Sequence, residues 1–130
     1  MTANAMMPGI TRLGQIQIRT HDVERAADFY QKVLGLKLLF KAPPGLAFFD
    51  CAGVRLMLDR PEKPEFDHAS SILYFAVPDI QAAHAGLKSN GVRFEDEPHM
   101  IARIPDHDLW MNFFRDSEDN LLALMSEVRR

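Results

Sequence analysis

The chain has one cysteine, one tryptophan, no block of like charge and no long hydrophobic run, and each scarcity excludes something. A lone Cys51 rules out an internal disulfide and fits a reducing compartment, so a cytoplasmic location is expected. The formal charge of −3 comes from interspersed signs, which disfavours nucleic acid and anionic membrane as partners. No stretch of about 18 apolar residues is available to span a bilayer. The opening "MTANAMMPGI" lacks the basic start and apolar run of a signal peptide. Nucleophile-elbow, P-loop and dinucleotide fingerprints are absent, and the glycines of "LGL" and "NG" read as helix stops. What remains is 130 residues, 47% hydrophobic and 25% charged, enough for one domain with a real core.

What is present is a repeat. "GQIQIRTHDVERAADFYQKVLGL" and "SSILYFAVPDIQAAHAGLKSNGV" each run as an alternating strand, an Asp, a helix with apolar spacing and a Gly stop. Asp22 and Asp79 are 57 residues apart and Gly35 and Gly91 are 56 apart. "FFDCAGVRLML" matches "FFRDSEDNLLAL" at an offset of 66, setting Asp50 on Asp116 and Leu58 on Leu124, so the second unit carries a longer middle. Asp22 and Asp79 suit N-caps, whose carboxylates accept first-turn amides. Val23, Ala26, Ala27, Tyr30, Val33 and Leu34 form one helical stripe, so helices are expected at about 22–34 and 79–90. Three apolar segments follow each helix: "LKLLFKA", "GLAFFD" and "GVRLML", then "VRFEDEPHMIA", "LWMNFFRD" and "NLLALMSE". The chain therefore divides into two βαβββ modules, about 10–58 and 71–128, with a Pro- and charge-rich linker over 59–70. The fold class is α+β.

The phrases "DVERAADFYQKVLGL", "VPDIQAAHAGLKSNGV" and "FFRDSEDNLLAL" resemble the vicinal oxygen chelate superfamily, the glyoxalase/bleomycin-resistance/extradiol-dioxygenase group. Ser117 and Asp119 stand where its closing phrase has Pro and Gly. The resemblance covers about residues 10–128. It implies a mixed sheet curled into a cup, with helices on the outer face and ligand on the concave one. The strand "LGQIQIRTHD" then has two distinct faces. Ile16 and Ile18 pack under the helix, as do Leu73 and Phe75. Gln15, Gln17 and Arg19 face the cup with Ile72, Tyr74 and Ala76.

By the same resemblance, metal-dependent members draw four ligands from positions that fall here on Gln15, Met57, Ile72 and Ala123. Only Gln15 offers a donor that a hard cation accepts, so no metal or other cofactor is expected. His99 and His107 flank the segment that departs from the repeat, beside Asp106, Asp108 and Trp110. They read as acid/base groups, as a relocated metal site, or as turn histidines bonded to backbone and water. His21, His68 and His84 carry little chemical signal, and Cys51 has no activating neighbour.

Two functions compete. One is metal-independent binding of a small, partly aromatic molecule by Gln15, Gln17, Arg55, Met57, Ile72, Tyr74, Trp110 and Ala123, with Arg19 a further cation. A cationic drug of the bleomycin type is not expected, because this cup reads neutral to basic. The alternative is a lyase, isomerase or dioxygenase using His99 and His107. An interaction module pairing through its edges is a third reading. Open edge strands also predict a homodimer.

Overall fold

The computed structural model describes residues 9–42 and 45–130, so part of the "PPG" turn signal lies outside the described residues. Its order begins with β1 (Gln15–Arg19), α1 (Val23–Asp28, continued as a π-helix over Phe29–Val33), β2 (Lys37–Ala42), β3 (Leu46–Cys51) and β4 (Val54–Asp59). A 3₁₀ turn (Pro64–Phe66) in the linker leads to β5 (Leu73–Ala76) and α2 (Ile80–Ser89). The chain ends with β6 (Arg93–Phe94), β7 (His99–Arg103), β8 (His107–Arg115) and β9 (Leu121–Arg129). The sheets run β1-β4-β3-β2 and β5-β9-β8-β6, with β7 also on β8. In each, the first strand is parallel to the last and the others are antiparallel. Both modules are thus mixed α+β units of the expected grammar. Among the described residues no helix is long and apolar enough to cross a membrane.

Local chemistry explains the elements. The Asp22 carboxylate accepts the Arg25 amide at 3.1 Å and Asp79 accepts that of Ala82 at 3.1 Å, so both expected caps form. Gly35 and Gly91 end the helices at φ 78° and 90°, a left-handed conformation that costs a side-chain-bearing residue about 1–2 kcal/mol. The first helix is wider than its 3.6-residue stripe suggests, because the Leu34 amide reaches back five residues to the Phe29 carbonyl at 3.0 Å. The long middle of the second module is a strand broken in two. β6 pairs with Phe114 and Arg115, and β7 with Asp108–Met111, on the same edge of β8. Pro98 has no amide to donate in the gap, and the Asp96 carboxylate accepts the Phe113 amide at 2.8 Å in place of a ladder bond.

The core is shared. Ile18, Tyr30, Phe49, Leu56 and Leu58 of the first module join Ile80, Phe114, Leu122 and Leu124 of the second in one buried cluster. Fully burying a side chain such as Ile18 or Leu58 contributes roughly 1.5–3 kcal/mol. Two crossings between modules flank this core, and they differ. At one, α1 is tied to the β8–β9 turn: the Tyr30 hydroxyl donates to Asp116 Oδ2 at 2.6 Å, and Arg25 bonds Glu118 at 2.8 Å. Asn120 donates to the Arg19 carbonyl at 3.0 Å and to Asp116 Oδ2 at 2.9 Å, and Asp116 Oδ1 accepts the amides of Glu118 and Asn120. Burial, with Asp116 adding its charge and hydrogen bond, raises the Tyr30 phenol well above the ordinary tyrosine range. At the other crossing, the repeat mates are Leu87 and Asp50. Asp50 binds the Gly53 amide within its own turn at 3.1 Å, and an apolar cavity of about 630 Å³ lies between α2 and Cys51–Ala52.

Candidate functional site

Each sheet turns one face to the shared core, and strand alternation turns the other face away from it. On β1, Ile18 is buried and Ile16 packs against the core, which sends Gln15, Gln17 and Arg19 to the opposite wall as expected. Parallel pairing sets Gln15 beside Arg55 and Gln17 beside Met57, and Phe48 follows on β3 opposite Met57. Phe40 pairs with Phe48 from β2, their rings 4.6 Å apart. This first wall is internally bonded. Arg55 Nε donates to Gln15 Oε1 at 2.9 Å, Gln15 Nε2 approaches Met57 Sδ at 3.6 Å, and Gln17 donates to Asp59 at 2.8 Å. Burial pushes the Asp59 carboxyl above its usual range, against the pull of Gln17's hydrogen bond. Arg19 faces Asp67 of the linker at 3.5 Å.

The second wall is less polar. Tyr74 pairs with Ala123, which in turn pairs with Phe113, and the Tyr74 and Phe113 rings meet edge to face at 5.9 Å. Ala76, Met125 and Met111 form the next rung. Two recesses open on these faces. One, of about 520 Å³, is lined by Arg12, Gln15, Leu39, Asp50 and Arg55; the other, of about 360 Å³, by Ile72, Tyr74, Asp96, Phe113 and Arg115.

Trp110 lies elsewhere than the sequence reading put it. It shares a strand face with buried Asn112 and Phe114 and packs against the core, on the helix side of β8. Proximity to His107 suggested a place at the rim, but two-residue alternation from Phe114 decides otherwise. His99 and His107 are not neighbours either. His99 pairs with Met111, four residues along β8 from His107, a separation of roughly 13 Å at about 3.3 Å per residue. His99 Nδ1 is 2.9 Å from the Glu97 carbonyl, while His107 Nδ1 is 2.8 Å from Asp106, whose carboxyl this hydrogen bond lowers. Each is satisfied locally.

The four positions that family resemblance assigns to metal ligands divide two to each wall. They offer one amide whose oxygen already serves Arg55, one thioether, and the alkyl side chains of Ile72 and fully buried Ala123. That donor set does not fit a hard divalent cation. Among the described residues, no group of three or more His, Cys, Asp or Glu could hold a metal ion.

Several features escaped the sequence reading. His84, which carries little chemical signal in sequence, is buried against the Phe94 ring with Nδ1 2.8 Å from Asn112 Nδ2. Arg12 sits in an irregular segment with no periodicity to mark it. Phe40 and Phe48 were legible as strand residues, and only register shows that they share a face with Met57. Burial, then the Asp50 charge, raises the Cys51 thiol, in keeping with an unactivated cysteine.

The comparisons agree with this architecture. No curated protein matches the chain in sequence. Among solved structures, a superfamily member from Sphaerobacter thermophilus is 23% identical with a TM-score of 0.77, over 91% of this chain and 98% of its own. A lactoylglutathione lyase from Agrobacterium tumefaciens is 19% identical with a TM-score of 0.71, over 91% and 95%. An antibiotic-binding protein from a Streptomyces species is 22% identical with a TM-score of 0.70, over 92% and 98%. At these identities the likeness speaks for the fold alone. The model of the Glyoxalase/Bleomycin resistance protein/Dioxygenase superfamily matches residues 12–124, and the chain belongs to that superfamily.

Proposed function

We propose that this chain binds a small organic molecule without a metal ion, in a cup completed by a second copy. One observation carries the reading: each module has its own open recess on its ligand-side wall, with large apolar side chains left exposed beside it. Phe40 on the first wall is 49% exposed and Tyr74 on the second 45%. Neighbouring exposed apolar groups of this size call for a cover. An isologous homodimer, laying the first wall of one protomer against the second wall of its partner, supplies one and makes two equivalent sites. The aromatic and thioether side chains give adaptable apolar contact, while Gln15 and Arg55 supply orientation. Its place is the cytoplasm.

The enzymatic alternative is weaker because His99 and His107 do not converge. A lyase or isomerase would have to work from one of them alone. The test is a ligand screen on protein stripped with a chelator, read by thermal shift and by backbone amide resonances. The expected result is a ligand that raises the melting temperature without added metal and perturbs residues on β1, β4 and β5. Binding that requires a divalent ion, or that leaves those strands unperturbed, overturns the reading.

A further inference from the structure

The geometry points to a flat aromatic anion, a ring bearing a carboxylate, as the ligand class of the first module's wall. The inference rests on that wall being the binding surface, as proposed above, and goes beyond it in assigning charge and shape.

Two guanidinium groups open into one recess. Arg55 is fixed through its Nε on Gln15 and lies over the Phe48 ring, 5.2 Å from its centroid. Arg12 is fixed through Nη1 on the Gly53 carbonyl at 2.9 Å. Neither has a carboxylate within 4 Å among the described residues, although 14 such pairs form elsewhere between acidic groups and other basic side chains. The nearby Asp50 is engaged with its turn through the Gly53 amide. The recess therefore holds two cations against one carboxylate, and the terminal nitrogens of Arg55 present a preset fork to an incoming anion.

The fold does not demand these charges. By the repeat, Arg12 corresponds to Ala69, Gln15 to Ile72 and Arg55 to Leu121; Leu121 opens β9 and Ile72 directly precedes β5, and the second module pairs these two strands as the first pairs β1 and β4. Beside the recess, the half-exposed Phe40 ring backed by Phe48 makes a platform for a planar group. A carboxylate on the fork and a ring on the platform satisfy both features together.

The experiment compares 1-naphthoate with its uncharged counterpart 1-naphthamide on the full chain, by titration of isotope-labelled protein. Naphthoate is expected to bind roughly tenfold tighter, the effect of one charge-assisted hydrogen-bonded pair. In Arg55→Gln that preference should fall to near unity, with circular dichroism unchanged. Arg12→Gln should reduce it several-fold. Equal affinity of the two probes for the native protein, or a preference that survives Arg55→Gln, overturns the anion assignment while leaving the wall as a binding surface. If neither probe shifts Gln15, Phe40 or Phe48, the wall reading itself falls and takes this one with it.

Discussion

Tyr30 and Asp116 stand 86 residues apart and share the shortest polar contact across the two modules, 2.6 Å between buried oxygens. Replacing Tyr30 by Phe leaves Asp116 Oδ2 with Asn120 as its remaining side-chain partner. Chemical denaturation should show a loss of about 1–3 kcal/mol, the usual penalty for a buried polar group deprived of a partner. The pH dependence has a definite sign. The unfolded phenol ionises near 10.0, whereas burial and Asp116 keep the folded one protonated well above that. Above pH 10 the native state holds the extra proton, so the contribution is complete below that pH and declines as pH rises. Tyr30→Phe should therefore show a shallower alkaline loss of stability than the parent, measured by urea titration at pH 9 to 11. Each partner was visible in sequence, Tyr30 on the helical stripe and Asp116 in the closing phrase. Their pairing was not, because local pattern carries no record of which helix meets which turn.

Among the elements, β1 gives the cleanest separation of stability from binding. Ile18→Ala should cost about 2–4 kcal/mol, since Ile18 is 1% exposed within the shared core. Gln15→Leu should alter stability by less than about 0.5 kcal/mol, as exposed substitutions do, while weakening whatever ligand occupies the first wall. Equilibrium unfolding and ligand titration of the two variants check both halves. At the helix ends, Gly35→Ala and Gly91→Ala should each cost about 1 kcal/mol in thermal or urea unfolding. Nothing stands within 4 Å of either added Cβ, so that cost is backbone strain alone. Caps, stops and the strand faces of β1 and β5 were legible because each depends on residues within one turn or one alternation. The π turn and the break between β6 and β7 were not. The first carries Tyr30, whose partners lie in the other module, and the second uses Asp96 to hold Phe113, contacts that local pattern does not record.

For the whole molecule, the repeat in the sequence became two sheets around one buried cluster, and the family followed from phrases that stay legible even with Ser117 and Asp119 in the closing one. What covers the two walls was not legible, because they open as separate recesses. Light scattering at micromolar concentration should return twice the 14.8 kDa chain mass. A single-chain mass in the presence of bound ligand would mean that one wall suffices. The shared core also predicts one cooperative transition, with Trp110 fluorescence and far-ultraviolet circular dichroism coinciding through urea unfolding.

The unequal crossings also set an order in time. One is latched by Tyr30, Arg25 and Asn120, while at its pseudo-equivalent a largely apolar cavity separates α2 from Cys51–Ala52, with no side-chain hydrogen bond across it among the described residues. Local opening follows the cheapest route. Amide hydrogens in the last turn of α2 should therefore exchange with solvent before those of the first helix, and a fold built by duplication would breathe from one side only.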